Sequence, residues 1–218
     1  VGDVTRKGRR QYCDKPNQHY HNGMPAGENT LNAYCTRAVL KVLRDNQGHY
    51  DRDAFLAAYI ELMTADPARH PDTYAESYHR GFFANLELGK PAWECGAVTH
   101  DTASIGGLVT IAPIVFAERL SGTSLERVKD ICVEHLLLTH PDQYLAKVCK
   151  DYVGLLDELL FLEGDKDAAT VISAWSKRSI SLQLSESGPR IHSDNDVVGR
   201  MFSSACYITD SWPSDLYL

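Results

Sequence analysis

The stretch that decides the fold is His100-Asp101-Thr102-Ala103-Ser104-Ile105-Gly106-Gly107-Leu108-Val109-Thr110-Ile111-Ala112-Pro113. Its first half consists of small and polar residues, and its second half is apolar on every side. Because a helix that is apolar all round must be buried, we expect segment 102–119 to be the central helix, kinked or split at Pro113. Glycines and hydroxyls at its start suit a backbone that approaches a ligand closely. A tight helix–helix crossing explains the glycines equally well.

The composition fits one soluble domain over residues 1–218. The chain is 44% hydrophobic and 23% charged, and its formal net charge of −7 argues against binding to a nucleic-acid backbone. No apolar run has the length that a bilayer span needs, and no signal peptide is visible. The six cysteines are scattered without a Cys-x-x-Cys pair, which favours a reduced, cytoplasmic protein. The start at Val1 and the end soon after Pro213, in a stretch that resembles the beginning of a helix, predict a chain cut at both ends.

Helical periodicity predicts an all-α fold. An apolar stripe runs from Leu31 to Val42, and Asp51 and Asp72 each precede a predicted helix as a cap. Thr123-Ser124-Leu125-Glu126 forms a capping-box pattern before another helix. Pro141 is expected in the first turn of a long helix, and further helices are expected at 167–177 and 195–209, the latter capped by Ser193. Only residues 180–184 alternate as a strand would.

A second polar cluster, Gly23-Met24-Pro25-Ala26-Gly27-Glu28-Asn29-Thr30, stands directly before the first helix. Glu28, Asn29 and Thr30 offer a carboxylate, an amide carbonyl and a hydroxyl, which are the oxygen ligands that Mg²⁺ accepts. A second interpretation is structural: Asn29 or Thr30 caps the helix, and Glu28 interacts with its dipole. A third segment, Leu138-Thr139-His140-Pro141, lies at the boundary between two predicted helices. Its histidine, His140, could titrate near neutral pH.

These three segments together resemble the ADP-ribosylglycohydrolase family, in particular its branch containing the J-type crystallins and selenoprotein J. The similarity lies in Ala26-Gly27-Glu28-Asn29-Thr30, in Ser104-Ile105-Gly106-Gly107 leading into Ile111-Ala112-Pro113, and in Leu138-Thr139-His140-Pro141. The resemblance implies one orthogonal all-α domain with a central buried helix. Active members hold two Mg²⁺ ions through a Thr-Asp-Asp-Thr motif and a later Asp-x-Asp-Thr motif, with ADP-ribose lying across them.

The resemblance also implies roles for residues of this chain. Glu28, Asn29 and Thr30 fall on the metal motif, in which Gly27 replaces threonine, Glu28 and Asn29 replace aspartates, and only Thr30 is retained. Glu28 and Asp101 are the expected catalytic carboxylates. The expected substrate-binding residues, facing ADP-ribose or an ADP-ribosylated substrate, are His100, Thr102, Ser104, Gly106 and Gly107.

The altered metal motif leaves two functions open. One is Mg²⁺-dependent hydrolysis of an ADP-ribosyl or related glycosidic bond. The other is a non-catalytic relative, either a crystallin-like structural protein or an ADP-ribose-binding protein, that keeps the fold and has lost ligand residues. The sequence does not decide between them, and the oligomeric state is undetermined.

Overall fold

The computed structural model describes residues 21–164, 167–179 and 193–218. Across these ranges the chain forms nine α-helices, which we number in order along the chain: α1 Leu31–Asp45, α2 Arg52–Thr64, α3 Ser77–Glu87, α4 Ile111–Leu120, α5 Leu125–Leu137, α6 Gln143–Leu160, α7 Ala168–Ser179, α8 Asp194–Val197 and α9 Ile208–Tyr217. Two short 3-10 helices, Ala92–Glu94 and Ile105–Leu108, lie between α3 and α4. The described part contains no strand, so the predicted all-α class is confirmed.

The helices pack around one apolar core. Helix α4 contacts α1, α5 and α6, while α2 lies against α1 on the far side. Helix α7 packs on α6 and on α9, and α9 returns to contact the 3-10 helix Ile105–Leu108. The core side chains include Val39, Phe82 and Ile114, none of which is measurably exposed. Their burial removes apolar surface from water, which is the main driving force for this arrangement.

Several predicted helix starts are confirmed. Asp51 accepts a hydrogen bond from the N–H of Ala54, as expected for the cap of α2. Ser193 likewise accepts one from Asp196 at the start of α8. Helix α5 begins within the predicted capping-box pattern, and its cap is Ser124, which accepts a hydrogen bond from the N–H of Arg127, rather than Thr123. The stripe that begins at Leu31 is buried along α1.

Other predicted boundaries are wrong, for identifiable reasons. Asp72 does not cap the third helix, which begins only at Ser77, because its carboxylate binds the start of α1 instead. Pro141 precedes α6 rather than lying in its first turn, because Asp142 takes the cap position. The helix expected over 195–209 ends at Val197, where the chain turns through Gly199 at φ +105°. Pro213 lies inside α9, not at its start.

The predicted central helix over 102–119 is two pieces. The 3-10 helix Ile105–Leu108 holds both glycines, and α4 begins at Ile111, so Pro113 falls in its first turn, where no intrahelical N–H bond is lost. One face of α4 is buried, but the opposite face is not, since Phe116 is 37% and Leu120 is 70% exposed. The segment is therefore apolar on every side without being buried on every side.

The remaining predictions concern the expected strand, membrane-spanning segments and the cysteines. The strand expected at 180–184 lies outside the described residues. None of the helices in the described ranges is long and apolar enough to cross a membrane. The five cysteines within those ranges are free thiols, and all but Cys206 are buried.

Candidate functional site

The start of α1 is held by a carboxylate from a distant loop. Asp72, which is 1% exposed, accepts hydrogen bonds from the N–H groups of Leu31 at 2.6 Å and Tyr74 at 3.0 Å. The ring Nδ1 of His21 lies 2.9 Å from the same carboxylate. A buried carboxylate at a helix N-terminus satisfies donors that the helix leaves unpaired. Asp72 therefore fixes the loop before α3 against the polar segment that precedes α1.

The three residues expected to bind metal lie at this same helix start. Thr30 occupies the cap position, but its hydroxyl makes no capping hydrogen bond, so the purely structural interpretation fails for that side chain. Glu28 and Asn29 are exposed. One Glu28 oxygen accepts from the Asn29 N–H at 2.9 Å and from the Tyr34 hydroxyl at 3.3 Å. Because Asp72 does the capping, the oxygens of these residues are available to a ligand.

The loop before the glycines is pinned by its own polar side chains. Asp101 accepts a hydrogen bond at 2.8 Å from the N–H of Ser77, the first residue of α3, and its other oxygen lies 3.0 Å from the exposed ring of His100. The buried Thr102 hydroxyl accepts from the Thr99 N–H and donates to the Ala97 carbonyl. Thr102 therefore shapes the loop from within, whereas His100 and Asp101 lie at its surface.

Glu76 was not anticipated, and it lies between the two predicted clusters. Its Oε1 accepts from the side-chain amide of Asn32 at 3.4 Å, and its Oε2 lies 3.6 Å from His79 Nε2. Burial raises the pKa of Glu76, and the neighbouring Asp101 and Asp72 raise it further, against hydrogen bonds from Tyr78 and Asn32 that lower it. A carboxyl in this environment holds a proton more readily than an exposed one.

The two adjacent glycines have different surroundings. A Cβ on Gly107 would lie 2.8 Å from Leu136 and 2.9 Å from Leu145, so this glycine is needed for packing. A Cβ on Gly106 would point to polar atoms instead: Ser104 Oγ at 3.3 Å, Glu76 Oε1 at 3.9 Å and His140 Nε2 at 4.0 Å. The packing interpretation therefore applies to Gly107, whereas Gly106 is the glycine that lies against polar side chains.

A small enclosed cavity lies beneath the glycines. Its volume is ≈20 Å³, about that of one water molecule. Its polar lining includes Asn32, Tyr78 and three histidines, His79, His135 and His140. Within the described residues, the Nε2 atoms of His79 and His140 make no hydrogen bond.

These histidines are neutral groups. Burial lowers the pKa of His140 to about 4 and that of His135 to about 3, and it lowers the pKa of His79 well below its usual value. The expectation that His140 titrates near neutral pH is therefore wrong, because desolvation disfavours the imidazolium. Its Nδ1 instead lies 2.8 Å from the Thr139 hydroxyl.

The structure brings the two predicted clusters into one region, although not into one cavity. Gly106, Gly107 and Asn32 share the histidine-lined cavity, and Asn32 is the second residue of the helix that Thr30 caps by position. Glu28, Asn29 and Thr30 are not part of its wall. Glu76 joins the clusters, since its Oε1 accepts from Asn32 and lies 3.9 Å from the place that a Cβ of Gly106 would occupy. We call the region bounded by Glu28, Glu76, Asp101 and Gly106 the polar cleft.

The C-terminal segment completes one wall of the polar cleft. The Ile105 N–H donates to the Cys206 carbonyl at 2.8 Å, and the Ile208 N–H donates to the Ala103 carbonyl at 3.0 Å. Ser104, which is 4% exposed, lies between these two bonds and pairs with Tyr207. The turn that carries the glycines is therefore held by α9 and the residues before it.

The described residues do not by themselves form a metal centre. No three histidine, cysteine, aspartate or glutamate side chains in the described ranges are grouped closely enough to hold a metal ion. Glu28 and Asn29 supply oxygens at the start of α1, but no further acidic side chain in these ranges joins them as a ligand group. The fit to a dinuclear magnesium site is therefore incomplete.

Sequence reasoning missed Asn32 and Glu76 as site residues and gave Asp72 a different role. Asp72 and Glu76 are four residues apart before a helix, which is a weak signal at most. What places them in the site is their contact with α1, more than 40 residues earlier in the chain. Such a contact has no local signature in the sequence.

Comparison with known proteins agrees with this architecture. The sequence profile of the ADP-ribosylglycohydrolase family matches residues 3–211. Comparisons with curated proteins and with solved structures give no match. Because the family match spans nearly the whole chain and includes all three segments described above, this protein belongs to the ADP-ribosylglycohydrolase family.

Proposed function

We propose that the polar cleft binds an ADP-ribosyl group and that the protein hydrolyses the glycosidic bond to its ribose. The match to the ADP-ribosylglycohydrolase family supports a glycohydrolase-like function. The observation that carries the proposal is the position of Glu76, a carboxyl with a raised pKa that accepts a hydrogen bond from Asn32 and lies 3.9 Å from the place that a Cβ of Gly106 would occupy.

Hydrolysis of a glycosidic bond needs one group that gives a proton and one that takes a proton. Glu76 suits the first role, because its burial favours the protonated carboxyl. Asp101 suits the second, because its hydrogen bond from the Ser77 N–H holds the carboxylate in place. Water attacks the anomeric carbon, the glycosidic bond breaks, Glu76 protonates the leaving group and Asp101 receives the proton of the water.

The substrate would enter between Glu28 and the glycine turn. Gly106 carries no side chain on the side of the polar cleft, so the backbone can approach a sugar or phosphate closely. His100, which is exposed and paired with Asp101, is a candidate contact at the rim. Ser104 and Thr102 act by holding the turn rather than by reaching the ligand.

If the protein binds Mg²⁺, we propose Glu28, Asn29 and Thr30 as ligands of the ion. These side chains present oxygens of the kind that Mg²⁺ accepts. The described residues do not complete a magnesium site, so the proposed hydrolysis uses the carboxyl groups of Glu76 and Asp101.

A second candidate function is binding without turnover. The incomplete metal group favours it, as does the outward position of Glu28. A crystallin-like structural role, or membership of the J-type crystallin branch, would belong to this alternative.

Binding and turnover can be separated in one set of measurements. ADP-ribose binding is measured by calorimetry with Mg²⁺ and with EDTA, and release of ADP-ribose is measured from N-linked and O-linked ADP-ribosyl peptides. We expect Glu76→Gln to lower turnover by about 100-fold, as for loss of a general acid, while ADP-ribose still binds. Glu126→Gln, on the exposed face of α5, is the matched control.

Each result decides between the candidates. Turnover that Glu76→Gln abolishes and Glu126→Gln preserves supports the hydrolase. Binding without turnover in the unaltered protein supports the second function. If ADP-ribose does not bind under any of these conditions, hydrolysis and ADP-ribose binding are both overturned, and the result supports the crystallin-like structural role.

A further inference from the structure

A groove with a positively charged rim lies between α1 and α2, outside the polar cleft. Its volume is ≈530 Å³. Arg37, Lys41 and Arg44 follow one another along α1 on this side, and Arg69 lies opposite them. We call this feature the α1–α2 groove.

The charges of the α1–α2 groove are only partly neutralised. Arg69 pairs with Glu61 at 2.6 Å, and Arg44 pairs with Asp45 at 2.7 Å. In the described part of the chain, no carboxylate forms an ion pair with Arg37 or Lys41. This surplus of positive charge is local, because the whole chain carries a net charge of −7.

The inner surface of the α1–α2 groove is apolar and aromatic. Ala38, Ala58 and Leu62 are half-buried residues that line it. At one end the Arg37 guanidinium lies 5.1 Å from the centre of the Tyr34 ring, which orients the cation along α1. A ligand that binds here therefore meets both apolar surface and two available cations.

Tyr34 also connects the α1–α2 groove to the polar cleft. Its ring lines the groove, and its hydroxyl donates to the Glu28 carboxylate at 3.3 Å. The groove thus ends at the residue that marks the entrance to the cleft. A chain lying in the groove would have its end beside Glu28.

We propose that the α1–α2 groove binds an acidic peptide segment of the protein that carries the ADP-ribosyl group. This assignment rests on the proposed function for the identity of the carrier. Carboxylates of the segment pair with Arg37 and Lys41, and its apolar side chains cover Ala38 and Leu62. The substrate class is thereby narrowed to ADP-ribosylated proteins with acidic sequence beside the modified residue.

The dimensions and charge of the α1–α2 groove favour a peptide over a nucleic acid. Among the residues that the structure describes, two cations of the groove are without a carboxylate partner, whereas a nucleic-acid site normally neutralises several phosphates. A peptide can alternate carboxylates with apolar side chains, which matches the cationic rim and the apolar interior.

The test measures peptide binding separately from ADP-ribose binding. The full chain is titrated with a fluorescein-labelled decapeptide of alternating Glu and Leu, with a Lys-for-Glu version, and with a single-stranded oligonucleotide of similar charge. The variant R37Q/K41Q neutralises the rim. The control R127Q/K150Q removes the same charge from exposed positions on α5 and α6.

We expect the Glu peptide alone to bind, with an affinity that falls as salt concentration rises. R37Q/K41Q should weaken it about fivefold or more, in line with two exposed ion pairs, whereas R127Q/K150Q should not. Turnover of an ADP-ribosylated acidic peptide should show a raised KM in R37Q/K41Q at unchanged kcat.

Three results would overturn the assignment: no binding of the Glu peptide, equal loss of binding in both double variants, or tighter binding of the oligonucleotide. Free ADP-ribose reports on the polar cleft alone. If the Glu peptide binds and ADP-ribose does not, the proposed function fails while the α1–α2 groove remains a site for acidic peptides.

Discussion

The carboxylate of Asp72 accepts a hydrogen bond of 2.6 Å from the backbone N–H of Leu31, the first residue of α1. This contact places a buried negative charge at the positive end of a 15-residue helix. It also releases Thr30 from the capping role that its position would assign to it. The start of α1 can therefore be both structurally capped and open to a ligand.

Removing the Asp72 carboxylate should be costly. Asp72→Ala leaves the Leu31 and Tyr74 N–H groups without their acceptor, and we expect it to lower the free energy of unfolding by about 2–4 kcal/mol. Asp51→Ala removes an exposed cap on α2 and should cost only about 1 kcal/mol. Urea denaturation measures both, and equal losses would show that burial of Asp72 adds nothing.

Acidification should destabilise the protein through its buried histidines. Because the folded-state pKa values of His140 and His135 are lowered to about 4 and about 3, the unfolded chain binds more protons between those values and pH 6.5. Stability is therefore greatest above the unfolded pKa and falls with decreasing pH, by about 1.4 kcal/mol per pH unit for each histidine.

This pH dependence can be assigned with one variant. His140→Gln removes one titrating group, so the slope of unfolding free energy against pH should become shallower by about 1.4 kcal/mol per unit between pH 4.5 and 6. An unaltered slope in His140→Gln would mean that this ring is protonated in the folded protein.

The two glycines should respond differently to alanine. Gly107→Ala places a methyl group within 3 Å of Leu136 and Leu145, and we expect a loss of about 1–3 kcal/mol in stability. Gly106→Ala has more space and should cost less than about 1 kcal/mol, but its methyl group enters the polar cleft and should weaken ADP-ribose binding. Denaturation measures the stability of both variants, and calorimetry measures their ADP-ribose binding. If Gly107→Ala weakened binding and Gly106→Ala did not, the ligand would bind elsewhere.

Cys206 can report the charge of the polar cleft. Burial raises the pKa of its thiol, and Asp101 and Glu76 raise it further. Asp101→Asn should therefore increase the alkylation rate of Cys206 at pH 7.5 by about twofold or more, because the thiolate becomes easier to form. Mass spectrometry resolves the site, and Glu126→Gln should leave the rate unchanged. An unchanged alkylation rate in Asp101→Asn would show that the charge of Asp101 does not affect the Cys206 thiol.

The sequence predicts the helices well where the signal is local. The stripe from Leu31, the cap at Asp51 and the helix start at the Thr123–Glu126 pattern depend on residues within one or two turns of each other, and all three are confirmed. The helix expected over 195–209 fails for a local reason too, because the positive φ at Gly199 ends it. Apolar spacing alone did not reveal that turn.

The candidate site was less predictable because its contacts are long-range. The glycine turn, Asp101 and the segment 28–30 were identified from their residue types. Their connection through Asn32 and Glu76 depends on packing that brings α3 and α1 together. Gly107 lies against apolar side chains and Gly106 against polar ones, and this difference depends on neighbours that are distant in the sequence.

The hydrogen bonds between residues 103–105 and 206–208 have a consequence for biosynthesis. A nascent chain that has emerged only as far as Leu160 already contains α1 to α6, which can collapse around the buried histidines. The partners that fix the glycine turn are translated more than 40 residues later. The helices that support the glycine turn therefore leave the ribosome before the residues that hold this turn in place.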